Sequence, residues 1–323
     1  MSEVTRSVKI SRRRNGHPVV REEHKLGYST KTAMLLLTPS GLILGALVVV
    51  PLIFLVFTSF TDFNQRTLFT GEFNVVGLST YAAVLADSEF WWSVVRTVLL
   101  MAACVAGTVL LGMAVAQFMT KLGKVTQYIV TVTMILAWAM PEVASAEVWN
   151  WLFQPGYGVI NWLLTQLHVF GDVTNVSWAN DARLAYICIW LLVVWQAIPF
   201  VAVTMFAAIQ QVDPSCIEAA KIDGAGPVRL YWMITIPLVK PTLLLVTVLS
   251  IIWDFNIFNQ IWLVSKGGPD NATANLGVFT YKKAFVGFDI GNGAAISVIT
   301  TLMLLALTAV YIRSLLKSGE DLV

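Results

Sequence analysis

The chain has 323 residues, of which 57% are hydrophobic and 12% are charged, and its formal net charge is +2. Soluble proteins average roughly 45–50% apolar and about 25% charged residues, so much of this surface must face an apolar medium. These values exclude a disordered chain and disfavour a soluble enzyme. A net charge this small gives no indication of nucleic-acid binding. The composition therefore predicts an integral membrane protein.

Six apolar segments follow one another along the chain, each close to the length of about 20 residues that a membrane-spanning helix needs. They cover about residues 33–60, 94–119, 128–152, 184–209, 242–264 and 294–316. The segments predict an all-α, multi-pass transmembrane helical bundle over residues 33–323, preceded by a basic cytoplasmic tail at residues 1–32.

Lysine and arginine are distributed unequally between the two sides of this bundle. If the N-terminus is cytoplasmic, 15 of the 21 lie in cytoplasmic segments, and eight of those are in the tail. The positive-inside rule therefore predicts that both termini lie in the cytoplasm. The tail's Arg12-Arg13-Arg14 run has two interpretations: it determines this topology, or it binds anionic lipid.

The loop between the fourth and fifth segments, at about residues 211–240, carries clear helix signals. Asp213 is a suitable N-cap, and Pro214 suits the first helical position. Ile217, Ala220 and Ile222 predict the inward side of a short helix. A permissive backbone is needed where that helix ends, and Gly224 supplies it.

A second short helix is predicted to start at Gly226-Pro227 and to close at Pro237. The loop then has two interpretations. It is a compact amphipathic linker along the membrane face, or its slim edge at Ala219 and Ala220, beside Glu218, enters a groove on another protein.

The loop's motifs are Glu218-Ala219-Ala220, Asp223-Gly224-Ala225 and Ile234-Thr235-Ile236-Pro237. This gapped pattern resembles the EAA loop of permease subunits of ABC importers. From about residue 33 onward, the chain resembles the six-span sugar permeases related to the maltose transporter's larger membrane subunit. The resemblance implies a type I importer architecture and an ATPase-coupling role for Glu218, Ala219, Ala220, Asp223, Gly224, Ala225 and Pro237.

The same resemblance implies a location in a prokaryotic plasma (inner) membrane. It also implies the partners: a second homologous permease, two ATPase subunits, an extracellular solute-binding protein, membrane lipid and a sugar substrate. No phosphate-binding loop is present, because Gly107 and Gly112 have the glycine spacing but Met113 stands where lysine is required. The glycines are predicted to serve helix packing. The chain is therefore expected to be no enzyme and to bind no cofactor, with ATP and magnesium on the partner ATPase.

Charged side chains within apolar segments are costly, and they mark functional sites. Carboxylates and amides hydrogen-bond sugar hydroxyls, while aromatic rings cover the apolar ring faces. Asn256, Asn259 and Gln260 are spaced to form one polar stripe on a continuous helix. The alternative is that these groups only join helices by hydrogen bonds. The predicted substrate path comprises Asp254, Asn256, Asn259, Gln260, Trp149, Asn150 and Glu147.

Three other functions stay open at this point. The first is a glycerol-phosphate permease, although basic residues are scarce within the spans. The second is a secondary transporter that uses Glu142, Glu147 and Asp254 as proton or cation sites. The third is a membrane scaffold that transports nothing.

Overall fold

The computed structural model describes residues 9–11, 19–21, 30–168 and 170–320, with side chains described from residue 34 to residue 313 except at residue 169. The chain divides into two compact units, residues 1–57 and 58–323. Residues 33–57 of the first predicted span fall in the first unit, and the predicted boundary after residue 32 stays a prediction.

The first unit combines a short hairpin with one apolar helical run. The two strands pair antiparallel, with Ile10 opposite Val20. The predicted Arg12-Arg13-Arg14 patch lies outside the described residues. The residues of Met34–Thr58 are long and apolar enough to cross a membrane, which agrees with the first predicted span. The elements are β1 (Lys9–Ser11), β2 (Val19–Arg21), α1 (Thr30–Leu44), a π-helical turn (Gly45–Val49) and α2 (Val50–Thr58).

The second unit contains three long apolar helices. They match the second, fourth and sixth predicted spans within a few residues, except that α5 begins six residues before the predicted start. Pro199 lies inside the helix of the fourth span. The helices are α5 (Ser88–Met119), α9 (Ala182–Gln210) and α16 (Ile290–Glu320), and α3 (Gln65–Thr70) and α4 (Ser79–Ala86) precede them.

The third and fifth predicted spans are bent helix pairs rather than single continuous helices. In the third, α6 (Lys124–Trp138) and α7 (Glu142–Leu152) meet at 95°. A proline disfavours helical backbone at the residue before it, which explains the break at Pro141. If each bent pair counts as one span, the described chain has six, as predicted.

The fifth span begins earlier and ends earlier than the predicted residues 242–264. It runs through α11 (Pro227–Leu230), a π-helical turn (Tyr231–Thr235) and α12 (Ile236–Leu238), then bends by 77° into α13 (Lys240–Phe255). After a break at residues 256–258, the chain continues as the separate helix α14 (Asn259–Ser265). The remaining short helices are α8 (Val159–Gln166), α10 (Pro214–Ile222) and α15 (Leu276–Tyr281).

Helices α5 and α9 form the frame of the second unit because small residues let them approach closely. A Cβ added at Gly112 would lie 2.7 Å from Val201, and one added at Gly107 would lie 2.5 Å from Trp190. No larger side chain fits there without movement, since Cβ contacts under 3.0 Å are essentially never seen. The predicted packing role of these glycines is confirmed.

Candidate functional site

Helix α10 of the predicted coupling loop is fixed at its start by local hydrogen bonds. The Asp213 carboxylate Oδ1 accepts from the backbone N–H of Ser215 at 2.8 Å, and Pro214 occupies the first helical position. This bond to the ionised form holds the pKa of Asp213 below its usual range. The predicted N-cap is therefore confirmed.

The end of α10 is a Schellman motif, in which a left-handed residue lets two backbone N–H groups turn back to the last carbonyls. Gly224 has φ of +80°, and its N–H donates to the Lys221 carbonyl at 3.1 Å. The N–H of Ala225 donates to the Ala220 carbonyl at 3.0 Å. Gly224 is thus required by the backbone turn itself, as predicted.

The outer face of α10 is not covered by the described chain. Ala220 is buried and Ile217 is partly buried, but Ile222 is 86% exposed, so the prediction that Ile222 points inward was wrong. Ile222 lies two positions from Ala220, which places the two side chains on nearly opposite sides of the helix. Glu218 and Ala219 are also exposed. A short helix therefore presents both charged and apolar groups to its surroundings.

The second helix of this loop starts as predicted, with Gly226 as its N-cap and Pro227 in its first turn. It does not close at Pro237 but ends at Leu238, where the chain bends at Val239. Pro237 therefore lies inside the last helical segment, two residues before the bend.

A cavity of about 520 Å³ lies where the bent spans meet α9. It opens between the bend of α6 and α7, the middle of α9, and the break between α13 and α14. Its polar lining combines two carboxylates with three amides, and two indole rings border it. These side chains are Glu142, Gln196, Asp254, Asn256, Gln260, Trp138 and Trp253.

Asp254 is the most unusual of these residues. It is only 6% exposed, and its Oδ2 has no hydrogen-bond partner among the described residues. Burying a polar group without a partner costs roughly 1–3 kcal/mol in proteins. Asp254 also lines the cavity, which makes its carboxylate a candidate acceptor for a molecule that enters.

The predicted stripe of Asn256, Asn259 and Gln260 does not exist, because α13 ends at Phe255. The Asn256 side chain turns back and donates to the Ile252 carbonyl at 2.8 Å. Gln260 is buried at the cavity wall. Asn259 is not part of that wall, and its Nδ2 donates to Glu142 at 2.9 Å, which joins α14 to α7.

The three predicted residues on α7 lie outside the cavity lining. Trp149 stacks on Phe153 with ring centroids 5.7 Å apart. Asn150 borders a separate cavity of about 40 Å³ and accepts from Gln154 at 3.4 Å. Glu147 is exposed. Of the seven predicted substrate-path residues, the structure brings Asp254, Asn256 and Gln260 together in one cavity.

Sequence reasoning missed Gln196 and the α6–α7 bend. The Gln196 side chain lines the cavity and donates to the Met140 carbonyl at 3.1 Å, next to the bend. Two signals were present: an amide within the apolar run of α9, and the Met140-Pro141 pair. Among the described residues, no group of three or more His, Cys, Asp or Glu side chains could hold a metal ion.

Residues 108–316 match the family described as the inner membrane component of binding-protein-dependent transport systems. The chain belongs to this family. Its members are transport components rather than catalytic subunits, and the matched region includes α10 and every polar side chain of the cavity.

Individual proteins agree with this assignment. The chain is 36% identical to the diacetylchitobiose uptake permease DasB of Streptomyces coelicolor, over 81% of this chain and 80% of that protein. It is 30% identical to the trehalose/maltose permease MalF of Thermococcus litoralis, over 90% of this chain and 94% of that protein. A chain of a bacterial ABC transporter involved in the import of the acidic polysaccharide alginate has the same fold, with a TM-score of 0.73 and 17% identity. The match covers 88% of this chain and 94% of that chain.

Proposed function

We propose that this chain is a permease subunit of an ATP-driven importer and that it passes a sugar or oligosaccharide into the cytoplasm by alternating access. The observation that carries the proposal is the cavity at the broken helices, with Asp254 in its wall and no partner for the Asp254 Oδ2 among the described residues. Membership in a family of binding-protein-dependent transporters supports the transport role. The names of the relatives support a sugar as the substrate.

The chemistry of the cavity suits a molecule with many hydroxyl groups. Carboxylates accept hydrogen bonds from hydroxyls, and amides both donate and accept them. The indole rings of Trp138 and Trp253 can cover the apolar faces of sugar rings. The volume lies in the range of roughly 300–1,000 Å³ that is typical of small-molecule sites.

The charge of the cavity favours an uncharged solute over a glycerol phosphate. Among the described residues that line it, Glu142 and Asp254 are carboxylates, and none is lysine, arginine or histidine. A phosphate there would face like charges without a cation, which is unfavourable in a partly desolvated site. The lining that this chain contributes therefore favours an uncharged solute, whereas relatives that are 32% identical are named sn-glycerol-3-phosphate permeases, so the glycerol-phosphate alternative stays open.

Energy for transport is proposed to enter through α10. Its exposed face, with Glu218, Ala219 and Ile222, offers a docking surface for a cytoplasmic ATPase. Two ATPase subunits would bind ATP and magnesium, a second homologous permease would complete the passage, and an extracellular binding protein would deliver the solute. In this arrangement both termini of the chain lie in the cytoplasm, as the positive-inside rule predicts.

The experiment compares Asp254→Leu, Asp254→Asn and the surface control Asp172→Asn in cells that also express the partner genes. Uptake is measured with radiolabelled diacetylchitobiose, trehalose and maltose. Leucine removes both acceptor oxygens, so we expect uptake to fall at least about tenfold, which is a loss of about 1.4 kcal/mol. Asparagine keeps one acceptor and should retain part of the activity, and the control should match wild type.

Two results would contradict different parts of the proposal. Wild-type uptake by Asp254→Leu would exclude the cavity as the substrate site. Uptake that survives deletion of the ATPase gene but stops with a protonophore would instead indicate a secondary transporter. A scaffold would give neither response, because no solute would enter through this chain.

A further inference from the structure

Helix α8, in the connection between the third and fourth spans, is held firmly by its inner face. The Asn161 side chain is fully buried, and its Nδ2 donates to the Val176 carbonyl at 3.0 Å. Its Oδ1 accepts from the Trp178 indole at 2.6 Å. On the next turn, the Thr165 hydroxyl accepts from the Val173 N–H at 3.1 Å. The orientation of α8 is therefore set by buried bonds, and its outer face points in a defined direction.

That outer face is apolar and is left uncovered by the described chain. Val159, Trp162 and Leu163, at positions i, i+3 and i+4, form one stripe and are 45%, 58% and 42% exposed. Tyr157 and Phe170, which precede and follow α8 in the chain, are 65% and 73% exposed. A stripe of this kind would be unfavourable in water, since large apolar side chains gain free energy when they leave it.

The surrounding sequence carries no formal charge. Between Glu147 and Asp172, the chain contains no aspartate, glutamate, lysine or arginine. The exposed apolar surface also continues onto the adjacent span, where Val148 and Trp151 of α7 are 46% and 55% exposed. Helices α7 and α8 therefore both present apolar side chains that the described chain leaves uncovered.

The geometry excludes a membrane crossing by α8 itself. Eight residues rise about 12 Å, whereas the hydrocarbon core is about 30 Å thick. The chain then enters α9 at Ala182, and α10 follows the other end of that helix. Helix α8 therefore lies at the membrane face opposite α10.

We propose that α8 is an interfacial helix whose outer face lies at the boundary between headgroups and acyl chains of the leaflet opposite α10. Tryptophan and tyrosine are enriched at this depth, where their rings are both apolar and polar. Many interfacial helices also carry lysine or arginine that attracts anionic lipid. The residues around α8 lack such charges, so its contact with the bilayer is hydrophobic and independent of anionic lipid.

One layer of buried side chains would separate α8 from the cavity. On its inner side, Ile160 packs against the buried cluster that includes Phe153, Val193 and Ile257. Val193 and Ile257 also line the cavity. A helix fixed in the membrane surface would therefore steady one wall of the cavity.

The test places a spin label on α8 in nanodiscs that contain the complex with its partner subunits. Cys216→Ser is the parent, because Cys216 is the one exposed cysteine of the three. Trp162→Cys and Leu163→Cys are then labelled singly, so one variant remains if the other fails to fold. The water control is Asn180→Cys, which is exposed, and the lipid control is Leu302→Cys, 59% exposed on α16.

The readout is the ratio of collision rates with oxygen, which concentrates in lipid, and with a water-soluble nickel chelate. We expect a severalfold higher ratio at both α8 positions than at Asn180→Cys, and a lower one than at Leu302→Cys. The ratio should not change when anionic lipid is added. A ratio equal to that of Asn180→Cys would place the face in water. Labels shielded from both reagents would show that a protein subunit covers it, and either result overturns the proposal.

Discussion

The coupling loop and the cavity are built in opposite ways. Helix α10 is specified by hydrogen bonds between residues that lie no more than five positions apart. The cavity brings together side chains that are more than 100 positions apart, from Trp138 to Gln260. Its shape depends on where helices break and on how α9 packs. Local signals can therefore define helix α10, whereas the cavity requires the whole of the second unit.

The largest effect on uptake is expected from Gly224→Val, which changes the turn that ends α10. A side chain at φ of +80° costs roughly 1–2 kcal/mol, so the turn after α10 should open and uptake should fall to background. Gly226→Val is the matched control, because an added Cβ has open space at both positions and only Gly224 has positive φ. Uptake and membrane levels are measured for both variants. Wild-type uptake by Gly224→Val would exclude a coupling role for this turn.

The frame that supports the cavity is tested by Gly112→Val. The added side chain overlaps Val201, and overpacking of this kind costs about 1–3 kcal/mol. The melting temperature of the purified complex should fall, as followed by size-exclusion chromatography after heating. Gly123→Val is the control, since a Cβ there meets no atom within 4 Å among the described residues. Equal melting temperatures for the two variants would show that α5 and α9 do not pack as closely as described.

A smaller effect is expected from Gln196→Met, which keeps the side-chain volume but removes the bond to the Met140 carbonyl. Loss of one such bond costs about 1 kcal/mol. Because Gln196 also lines the cavity, uptake per folded complex should fall as well as the melting temperature. Uptake per folded complex reports the role in the cavity, and the melting temperature of the purified complex reports the lost hydrogen bond. A loss of stability with unchanged uptake per folded complex would make Gln196 a purely structural residue.

The smallest effect is expected at the contact between Asn259 and Glu142. This hydrogen bond is exposed, so Asn259→Ala should lower stability by about 0.5 kcal/mol at most. Glu142→Gln is its counterpart, because the glutamine oxygen can still accept from Asn259. Stability is compared by the same heating assay, with uptake as the second readout. A tenfold loss of uptake in Asn259→Ala alone would make this contact part of the transport cycle.

The difference between the two regions also explains what the sequence could predict. The cap at Asp213 and the turn at Gly224 follow from single residues with strong conformational preferences. The six apolar runs follow from composition. The break after Phe255 could not be predicted, because Asn256, Asn259 and Gln260 are also compatible with a continuous helix. Gln196 gained its role only through the bend at Pro141, which lies 55 positions away in the chain.

The central claim is that α10 is the surface on which an ATPase acts, and Cys216 offers a natural probe of it. Cys216 lies on α10 and is exposed, whereas Cys104 and Cys188 are buried. A photoreactive maleimide placed on the wild-type chain should therefore label this position selectively in native membranes. After illumination and purification in mild detergent, the account predicts one major adduct, between this chain and an ATPase subunit. Purification of the chain without any ATPase, or adducts with lipid alone, would contradict it.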